Sequence, residues 1–167
     1  MPWAHDEPAP LADKIELLRR FRGNFDRGED FVYGLFSPDE SAVVGGSGLH
    51  RRVGPGAFEI GYWIRSSEAG RGLATEATAA LTRVGLELCG ADRIEIRVEP
   101  DNTPSLAIPR KLGFTEEGTL RRRLETRDSG GARRDAVVFS MFRDGLAGTP
   151  TSAVPFEAFD ALGARVA

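Results

Sequence analysis

The most informative segment of the chain is Ala69-Gly70-Arg71-Gly72-Leu73-Ala74-Thr75-Glu76-Ala77, at residues 69–77. Its two glycines let the backbone turn tightly and expose consecutive N–H groups. Apolar residues then recur every three or four positions and predict a helix over residues 72–89: Leu73, Ala77, Leu81, Val84 and Leu88. The first N–H groups of a helix lack partners, and the helix dipole places partial positive charge there. The segment therefore predicts a phosphate-binding turn, to which Arg71 adds a cation.

The glycines of this segment are also compatible with a helix-capping turn that binds no ligand. A Walker phosphate loop, Gly-x4-Gly-Lys-Ser/Thr, does not occur in the chain. Gly70-Arg71-Gly72 begins a dinucleotide-binding fingerprint, but Thr75 stands where its third glycine belongs, and the repeated β-α-β units of that fold are missing. Neither nucleotide-binding hypothesis therefore agrees with the surrounding sequence.

The remaining elements follow from periodicity and turn residues. Helices are predicted at residues 11–26 and 103–112, and strands at residues 31–36, 41–49, 57–64, 93–99, 114–126 and 134–143. The last two strands form a hairpin around Asp128-Ser129-Gly130-Gly131. This order predicts an α+β fold with a mixed, mostly antiparallel sheet and one β-α-β crossover. Residues 1–145 form one domain, and residues 146–167 a flexible or half-helical tail, with the half-helix at Pro155-Phe156-Glu157-Ala158-Phe159.

The composition limits the classes of protein to which the chain can belong. The chain has 167 residues, of which 41% are hydrophobic and 28% charged, as in an ordinary globular domain. A net charge of -3 gives no electrostatic case for nucleic-acid binding, and no apolar run reaches the ~18 residues that span a membrane. Cys89 is the single cysteine, so neither a disulfide framework nor a cysteine metal site is expected, and we predict a core thiol there. We therefore expect a cytoplasmic protein without a metal.

Three motifs occur in register between residues 59 and 114. They are Glu59-Ile60-Gly61-Tyr62-Trp63-Ile64, the glycine-rich turn, and Asn102-x-x-Ser105 followed by Lys111-Leu112-Gly113-Phe114. Together they resemble the fourth strand, the pyrophosphate loop and the strand-to-helix motif of the Gcn5-related N-acetyltransferase superfamily. Within it they are most similar to the RimJ/RimL-like branch, which acetylates the α-amino termini of ribosomal proteins. In order and spacing the likeness covers roughly residues 30–143.

The resemblance implies acetyl-CoA as the donor and a primary amine as the acceptor, either a protein α-amino terminus or a small-molecule amine. In the family, the cofactor lies where two parallel strands splay apart. Backbone groups near Ile64 and Arg65 would then bind the pantetheine amides, while Asn102 and Ser105 would reach the pantetheine arm and the thioester. The diphosphate would bind N–H groups of the turn: Gly70, Arg71, Gly72, Leu73, Ala74 and Thr75. A non-catalytic acyl-CoA-binding module of the same fold is the alternative.

The implied mechanism is direct attack of a neutral amine on the thioester carbonyl, which needs a base and a proton donor. Glu59 is the candidate base, since it lies on the strand that passes the acetyl group. An exposed strand glutamate is the alternative, and Glu125 and His50 are rival bases. Pro109 stands where other branches carry a tyrosine acid, so Ser105 is the candidate donor to the departing thiolate. The alternative for Ser105 is a helix N-terminal serine that satisfies an unpaired N–H group.

The two ends of the predicted sheet carry further expectations. Relatives begin with a strand and a longer first helix, so we expect the family's first strand to be missing here. Residues 31–36 would then form an open sheet edge, which favours a homodimer. The last hairpin is basic, with Arg121-Arg122-Arg123 and Arg133-Arg134. A solvated strand edge explains this pattern, and contact with an acidic acceptor or a CoA phosphate is the functional alternative.

Overall fold

The computed structural model describes residues 10–126 and 131–167 and contains one six-stranded sheet. The strands are β1 (Asp30–Phe36), β2 (Val43–His50), β3 (Ala57–Ile64), β4 (Arg93–Val98), β5 (Thr115–Leu124) and β6 (Arg134–Phe142). They lie in the order β1-β2-β3-β4-β6-β5. β3 and β4 pair in parallel, and the other neighbouring pairs of described strands are antiparallel. The predicted α+β fold with a mixed, mostly antiparallel sheet is confirmed.

The described residues form three α-helices: α1 (Leu11–Asp26), α2 (Leu73–Arg83) and α3 (Thr103–Leu112). α2 connects the parallel strands β3 and β4, as the predicted crossover requires. Glycines with left-handed backbone conformations flank two of the helices. Gly72 (φ +85°) precedes α2, and Gly113 (φ +87°) follows α3. The predicted order of helices and strands is confirmed.

The turn that follows α2 is wider than the predicted helix over residues 72–89. Val84–Leu88 form a π-helical turn, in which Cys89 N–H donates to Val84 O at 2.9 Å. The extra residue changes the helical phase by about 100°. Leu86 is therefore buried, whereas Leu88 and Cys89 are exposed. The prediction of a core thiol at Cys89 is wrong for this reason.

The core lies between one face of the sheet and helices α2 and α3. Its fully buried side chains include Leu49, Ile60, Leu86, Ile94, Leu112 and Phe139. α1 packs against β1 through Phe25, whose ring lies edge-on to the rings of Phe31 and Tyr33. Leu11 and Leu18 of the same helix are 73% and 63% exposed, and no residue of α1 is buried, so this helix covers β1 only in part.

β3 and β4 part after a short paired stretch. Three residue pairs join them, from Ala57↔Arg93 to Glu59↔Glu95, although β3 continues to Ile64 and β4 to Val98. β4 meanwhile stays paired with β6 along its whole length. A gap therefore opens in the sheet between the C-terminal ends of β3 and β4, and both α2 and α3 begin beside it.

The segment after β6 is attached to the domain along its first half. Thr151 is fully buried, and its Oγ1 donates to Leu112 O at 2.8 Å. Arg83 Nη1 donates to Val154 O at 3.0 Å. These two bonds attach residues 146–154 to the C-terminal ends of α3 and α2, and the flexibility expected for residues 146–167 stays a prediction.

No helix forms at residues 155–159, and the predicted half-helix is wrong. Phe159 instead pairs with Arg165 in an isolated β-bridge, and Ala158 N–H donates to Ala167 O at 3.1 Å. Because these backbone groups bond across a turn, they are not available for helical hydrogen bonds. A domain boundary at residue 145 stays a prediction.

Two expectations fall on residues outside the described ranges. Asp128, Ser129 and Gly130 of the predicted hairpin turn lie outside them. The chain before Pro10 lies outside them too, so the expectation that the family's first strand is missing stays a prediction. Among the described strands, β1 pairs with β2 alone, and a homodimer through this edge stays a prediction. Within residues 10–126 and 131–167, no helix combines the length and the apolar character that a membrane crossing requires.

Gly85→Ala should destabilise the fold, because a Cβ at residue 85 would lie 2.6 Å from Cδ1 of the fully buried Ile94. Overpacking of this kind lowers the free energy of unfolding by about 1–3 kcal/mol. Urea denaturation measures the change. Gly23→Ala in α1 is the control: its Cβ meets only the flexible end of Arg27, and the helical alanine should stabilise by about 0.5–1 kcal/mol. Equal effects of the two substitutions would contradict the close packing of residue 85 on β4.

Candidate functional site

Two clefts meet beneath the gap between β3 and β4. The first, which we call the glycine-turn cleft, has a volume of about 450 Å³ and lies between the turn before α2, the end of β3 and the start of α3. The second, which we call the charged cleft, has a volume of about 580 Å³ and is lined by β3, β4, α3 and the β5–β6 hairpin. Tyr62 and Ser105 line both clefts. The two clefts therefore adjoin at these two residues, which we call their junction.

The glycine-rich turn forms one wall of the first cleft. Gly70 (φ +80°) and Gly72 (φ +85°) adopt left-handed conformations, and a Cβ at either residue would meet no atom within 4 Å. Gly72 O accepts the hydrogen bond from Glu76 N–H that opens α2. The N–H groups of the preceding helical residues have no partner in the helix, and Leu73, Ala74 and Thr75 line the cleft. The turn thus offers both open space and donors to an anionic group.

Arg71 is placed differently from the expectation that it adds a cation to the turn. Its guanidinium forms an ion pair with Glu68, in the short 3₁₀ turn Ser66–Glu68 that precedes the glycines. Lys111, on α3, instead brings a positive charge to the wall of the glycine-turn cleft. In the sequence, Lys111 stands out only as part of a motif, and its place one residue before the C-terminal end of α3 was the available signal.

The end of β3 provides the backbone groups that face the gap. Arg65 N–H donates to Val44 O at 2.9 Å, so this amide is paired with β2. It is therefore not free to bind a pantetheine amide, although such binding was expected for backbone groups near Arg65. Backbone groups alternate in direction along a strand. Those of Tyr62 and Ile64 therefore face β4, beyond the last paired residue. Ile64 keeps its predicted place on the cleft wall, and Tyr62 joins it there.

Tyr62 bridges the gap between β3 and α3. Its hydroxyl donates to Ser105 O at 3.2 Å, and burial raises its pKa to about 12, against a smaller lowering effect of the Ser105 side chain. The phenol therefore stays protonated, and remains a donor, at neutral pH. Sequence analysis gave Tyr62 no contact of this kind, although period-two alternation places it on the helix-covered face with Ile60 and Ile64.

Asn102 caps the helix that carries Ser105. Asn102 Oδ1 accepts a hydrogen bond from Ser105 N–H at 3.3 Å, which satisfies one of the unpaired groups at the start of α3. The capping function considered for the Ser105 side chain therefore belongs to Asn102. The Ser105 side chain is half-buried at the junction of the two clefts.

Glu59 lies on the wall of the charged cleft with only 8% of its surface exposed, so the alternative of an exposed strand glutamate is wrong. Arg52 Nη2 donates to Glu59 Oε1 at 2.7 Å. Glu59 Oε2 lies 3.9 Å from Arg97 Nε, which is too far for a hydrogen bond. One carboxylate oxygen is thus held by a cation, and the other is left for a further donor.

The rival bases lie in different surroundings. His50 Nδ1 contacts Asp30 Oδ1 at 2.6 Å, between β1 and β2, and does not line either cleft. Glu125 lies on the exposed rim of the charged cleft. Its charge helps to raise the pKa of Arg52, for which the hydrogen bond to Glu59 is the largest cause. The geometry therefore leaves Glu59 as the best-placed carboxylate.

Two further arginines line this cleft: Arg97, to which the sequence patterns gave no function, and Arg134, which belongs to the basic hairpin noted in the sequence. Arg97 Nη2 donates to Glu95 Oε2 at 2.9 Å, and Arg134 forms an ion pair with Glu99. For Arg97, the available signal was the alternation of charged and apolar residues along β4. Within the described ranges, no group of three or more His, Cys, Asp or Glu side chains is arranged to hold a metal ion.

Fold and site together define a class of α+β proteins in which a ligand enters between two parting strands of the sheet. A family model described as an acetyltransferase (GNAT) domain matches residues 1–115. The chain therefore belongs to the GNAT acetyltransferase family, which is a family of enzymes that use acetyl-CoA. The predicted resemblance is confirmed.

Three proteins illustrate the likeness. The uncharacterized N-acetyltransferase p20 of Bacillus licheniformis is 37% identical over 93 residues, which cover 56% of this chain and 51% of that protein. The ribosomal protein uS5-alanine N-acetyltransferase of Escherichia coli (strain K12) is 29% identical over 126 residues, covering 70% and 63% of the two chains. Mycobacterium smegmatis RimJ in complex with CoA-disulfide is a structural relative with a TM-score of 0.73 and 28% identity, covering 90% of this chain and 74% of RimJ. The chain spans about half the length of p20.

Tyr62→Phe should lower the free energy of unfolding by about 1 kcal/mol, because it removes the hydrogen bond that joins β3 to α3. Urea denaturation measures this loss. Tyr33→Phe is the control, since Tyr33 lies on β1 and lines neither cleft. The same loss in both variants would show that the Tyr62–Ser105 bond contributes nothing of its own.

Proposed function

We propose that the chain transfers an acetyl group from acetyl-CoA to a primary amine. The observation that carries this proposal is the junction of the two clefts at Tyr62 and Ser105, beneath the parted strands. One cleft ends at a helix N-terminus suited to a diphosphate, and the other contains a buried carboxylate suited to an amine. Family membership and the N-acetyltransferase names of the relatives support the same assignment.

The glycine-turn cleft would hold the donor. N–H groups from Gly70 to Thr75 would bind the diphosphate, where an added Cβ meets only open space. Backbone groups of Tyr62 and Ile64 would pair with the pantetheine amides, which replaces the hydrogen bonds that β4 no longer provides. Asn102 is committed to capping through Oδ1, so only its Nδ2 group could reach the pantetheine arm.

When bound, acetyl-CoA supplies a thioester whose carbonyl carbon an amine can attack. Glu59 Oε2 would take a proton from the acceptor ammonium, directly or through water, while Arg52 holds Oε1. The Ser105 hydroxyl, at the junction of the clefts, would donate to the departing thiolate. These positions separate the base from the acid along the line of transfer, since Glu59 lies in the charged cleft and Ser105 lies between the two.

The acceptor would enter through the charged cleft. The uS5-alanine enzyme of Escherichia coli is named for an alanine of a ribosomal protein, and this chain covers 63% of its length. We propose an acceptor of that kind, or a small-molecule amine, for this chain. Thiol release from acetyl-CoA with a panel of amino-terminal peptides and amines tests the activity. Binding of acetyl-CoA without thiol release would identify a non-catalytic acyl-CoA-binding module instead.

Acetyl-CoA should raise the thermal midpoint, because a ligand that binds only the folded state stabilises it by about 2.7 kcal/mol at a hundredfold excess over Kd. Gly72→Asp should abolish most of this shift by placing a carboxylate against the diphosphate. Gly148→Asp is the matched control: Gly148 has φ +78°, its Cβ would meet nothing within 4 Å, and it lines neither cleft. An unchanged shift in Gly72→Asp, or no shift in the parent protein, would overturn the donor site.

Ser105→Ala should lower kcat by roughly 10²-fold, as expected for the loss of an acid group, with little change in the affinity for acetyl-CoA. Asn102→Ala should instead lower the stability by about 1 kcal/mol, because it removes the cap of α3. Steady-state thiol release and urea denaturation of both variants separate the two functions. A kcat within threefold of the parent in Ser105→Ala would leave water as the proton source.

A further inference from the structure

The arginines of the charged cleft differ in whether a carboxylate balances them. Arg52, Arg97 and Arg134 each pair with a glutamate, and these partners are Glu59, Glu95 and Glu99 respectively. Arg123 lines the same cleft and is exposed. It forms no ion pair with any carboxylate of the described residues. Among the described residues that line the cleft, Arg123 is thus the guanidinium that a bound anion can reach without displacing a protein carboxylate.

A bulge in β5 places Arg123 at this cleft. Leu120 pairs with Ala136, and Leu124 pairs with Arg134, so the three residues Arg121–Arg123 stand opposite Asp135 alone. Arg122 adopts φ +55°, which is uncommon for a residue other than glycine, and its N–H donates to Asp135 Oδ1 at 2.8 Å. Bulges of this kind redirect side chains near functional sites. With regular pairing, the side chains at residues 121–123 would have continued to alternate between the two faces of the sheet.

We propose that Arg123 binds a carboxylate of the acceptor and thereby selects amines that carry a negative charge near the reacting group. This inference rests on the proposed acetyl transfer and names the acceptor class for it. The reacting amine would approach Glu59, on β3, while Arg123 extends from β5. Arg123 lines the charged cleft and not the glycine-turn cleft, which favours an acceptor carboxylate over a CoA phosphate as its partner.

The sheet order sets the spacing between amine and carboxylate. β3 and β5 are separated by β4 and β6, so three strand spacings amount to about 14 Å across the sheet. Glu59 lies level with Ser140 of β6 and Arg123 lies opposite Asp135, which adds about 17 Å along the strands. The side chains of Arg123 and Glu59 extend toward each other from these two backbone positions into the same cleft. An arginine side chain covers part of this distance, and two or three residues of extended peptide span about 7–10 Å. The α-carboxylate of a free amino acid lies too close to its own amine for this spacing. The favoured acceptor is therefore a peptide amino terminus with an acidic side chain at its second or third position.

Thiol release should be compared between two hexapeptides that begin with alanine and differ only in Asp-Glu against Asn-Gln at positions two and three. The parent protein should prefer the acidic peptide by about tenfold in kcat/KM, mainly through KM, and added salt should reduce the preference. Arg123→Ala should reduce the ratio to about one, and Arg123→Glu should reverse it. Arg121→Ala is the matched control, because it removes the same charge from the same bulge but from a residue that does not line the cleft.

Calorimetric binding of the two peptides, measured in the presence of CoA, reports the same preference without turnover. If the peptides bind but no thiol is released, the proposed acetyl transfer is overturned. The calorimetric comparison still shows whether Arg123 prefers the acidic peptide. A parent ratio near one in both assays would overturn the inference. Equal loss of preference in Arg123→Ala and Arg121→Ala would also overturn it, since general charge would then account for the effect. Free alanine and free glutamate as acceptors test the spacing, and a preference for them over the acidic peptide would contradict it.

Discussion

The parting of β3 and β4 after Glu59↔Glu95 is the constraint on which the remaining structure depends. A sheet that separates in its middle leaves main-chain groups without partners, and such groups are costly unless something else binds them. Part of the separation is bridged by the protein itself, since Tyr62 reaches across to Ser105 O. The rest is left as space beside Ile64, and both clefts owe their existence to it.

The two helices beside this gap have different N-cap residues, and the difference changes which of their first N–H groups are accessible. α2 begins at Gly72, whose lack of a side chain leaves the first N–H groups accessible. α3 begins at Asn102, whose side chain satisfies one of those groups. A ligand can therefore use the open N-terminus of α2, whereas α3 is closed and serves to hold Ser105 in place.

Local patterns predicted the elements well, because alternation, helical periodicity and turn glycines are written in neighbouring residues. They also predicted that Glu59, Ser105 and the glycine-rich turn would belong to one site, through the resemblance of the motifs. They did not reveal features that depend on residues far apart in the chain, such as the bond from Arg65 to Val44 or the burial of Glu59 beside Arg52. The widened turn after α2 was missed too, because a single extra residue leaves the apolar spacing nearly unchanged.

The C-terminal segment gives the two cleft-forming helices a shared anchor. Thr151 holds the last turn of α3, and three residues later Val154 holds the end of α2 through Arg83. Local opening of either helix must therefore strain the short stretch between them, so that the pair behaves as one cooperative unit in native-state hydrogen exchange. Proteolytic cleavage between residues 146 and 154 would uncouple these helices and loosen the walls of both clefts from a point that lies outside either one.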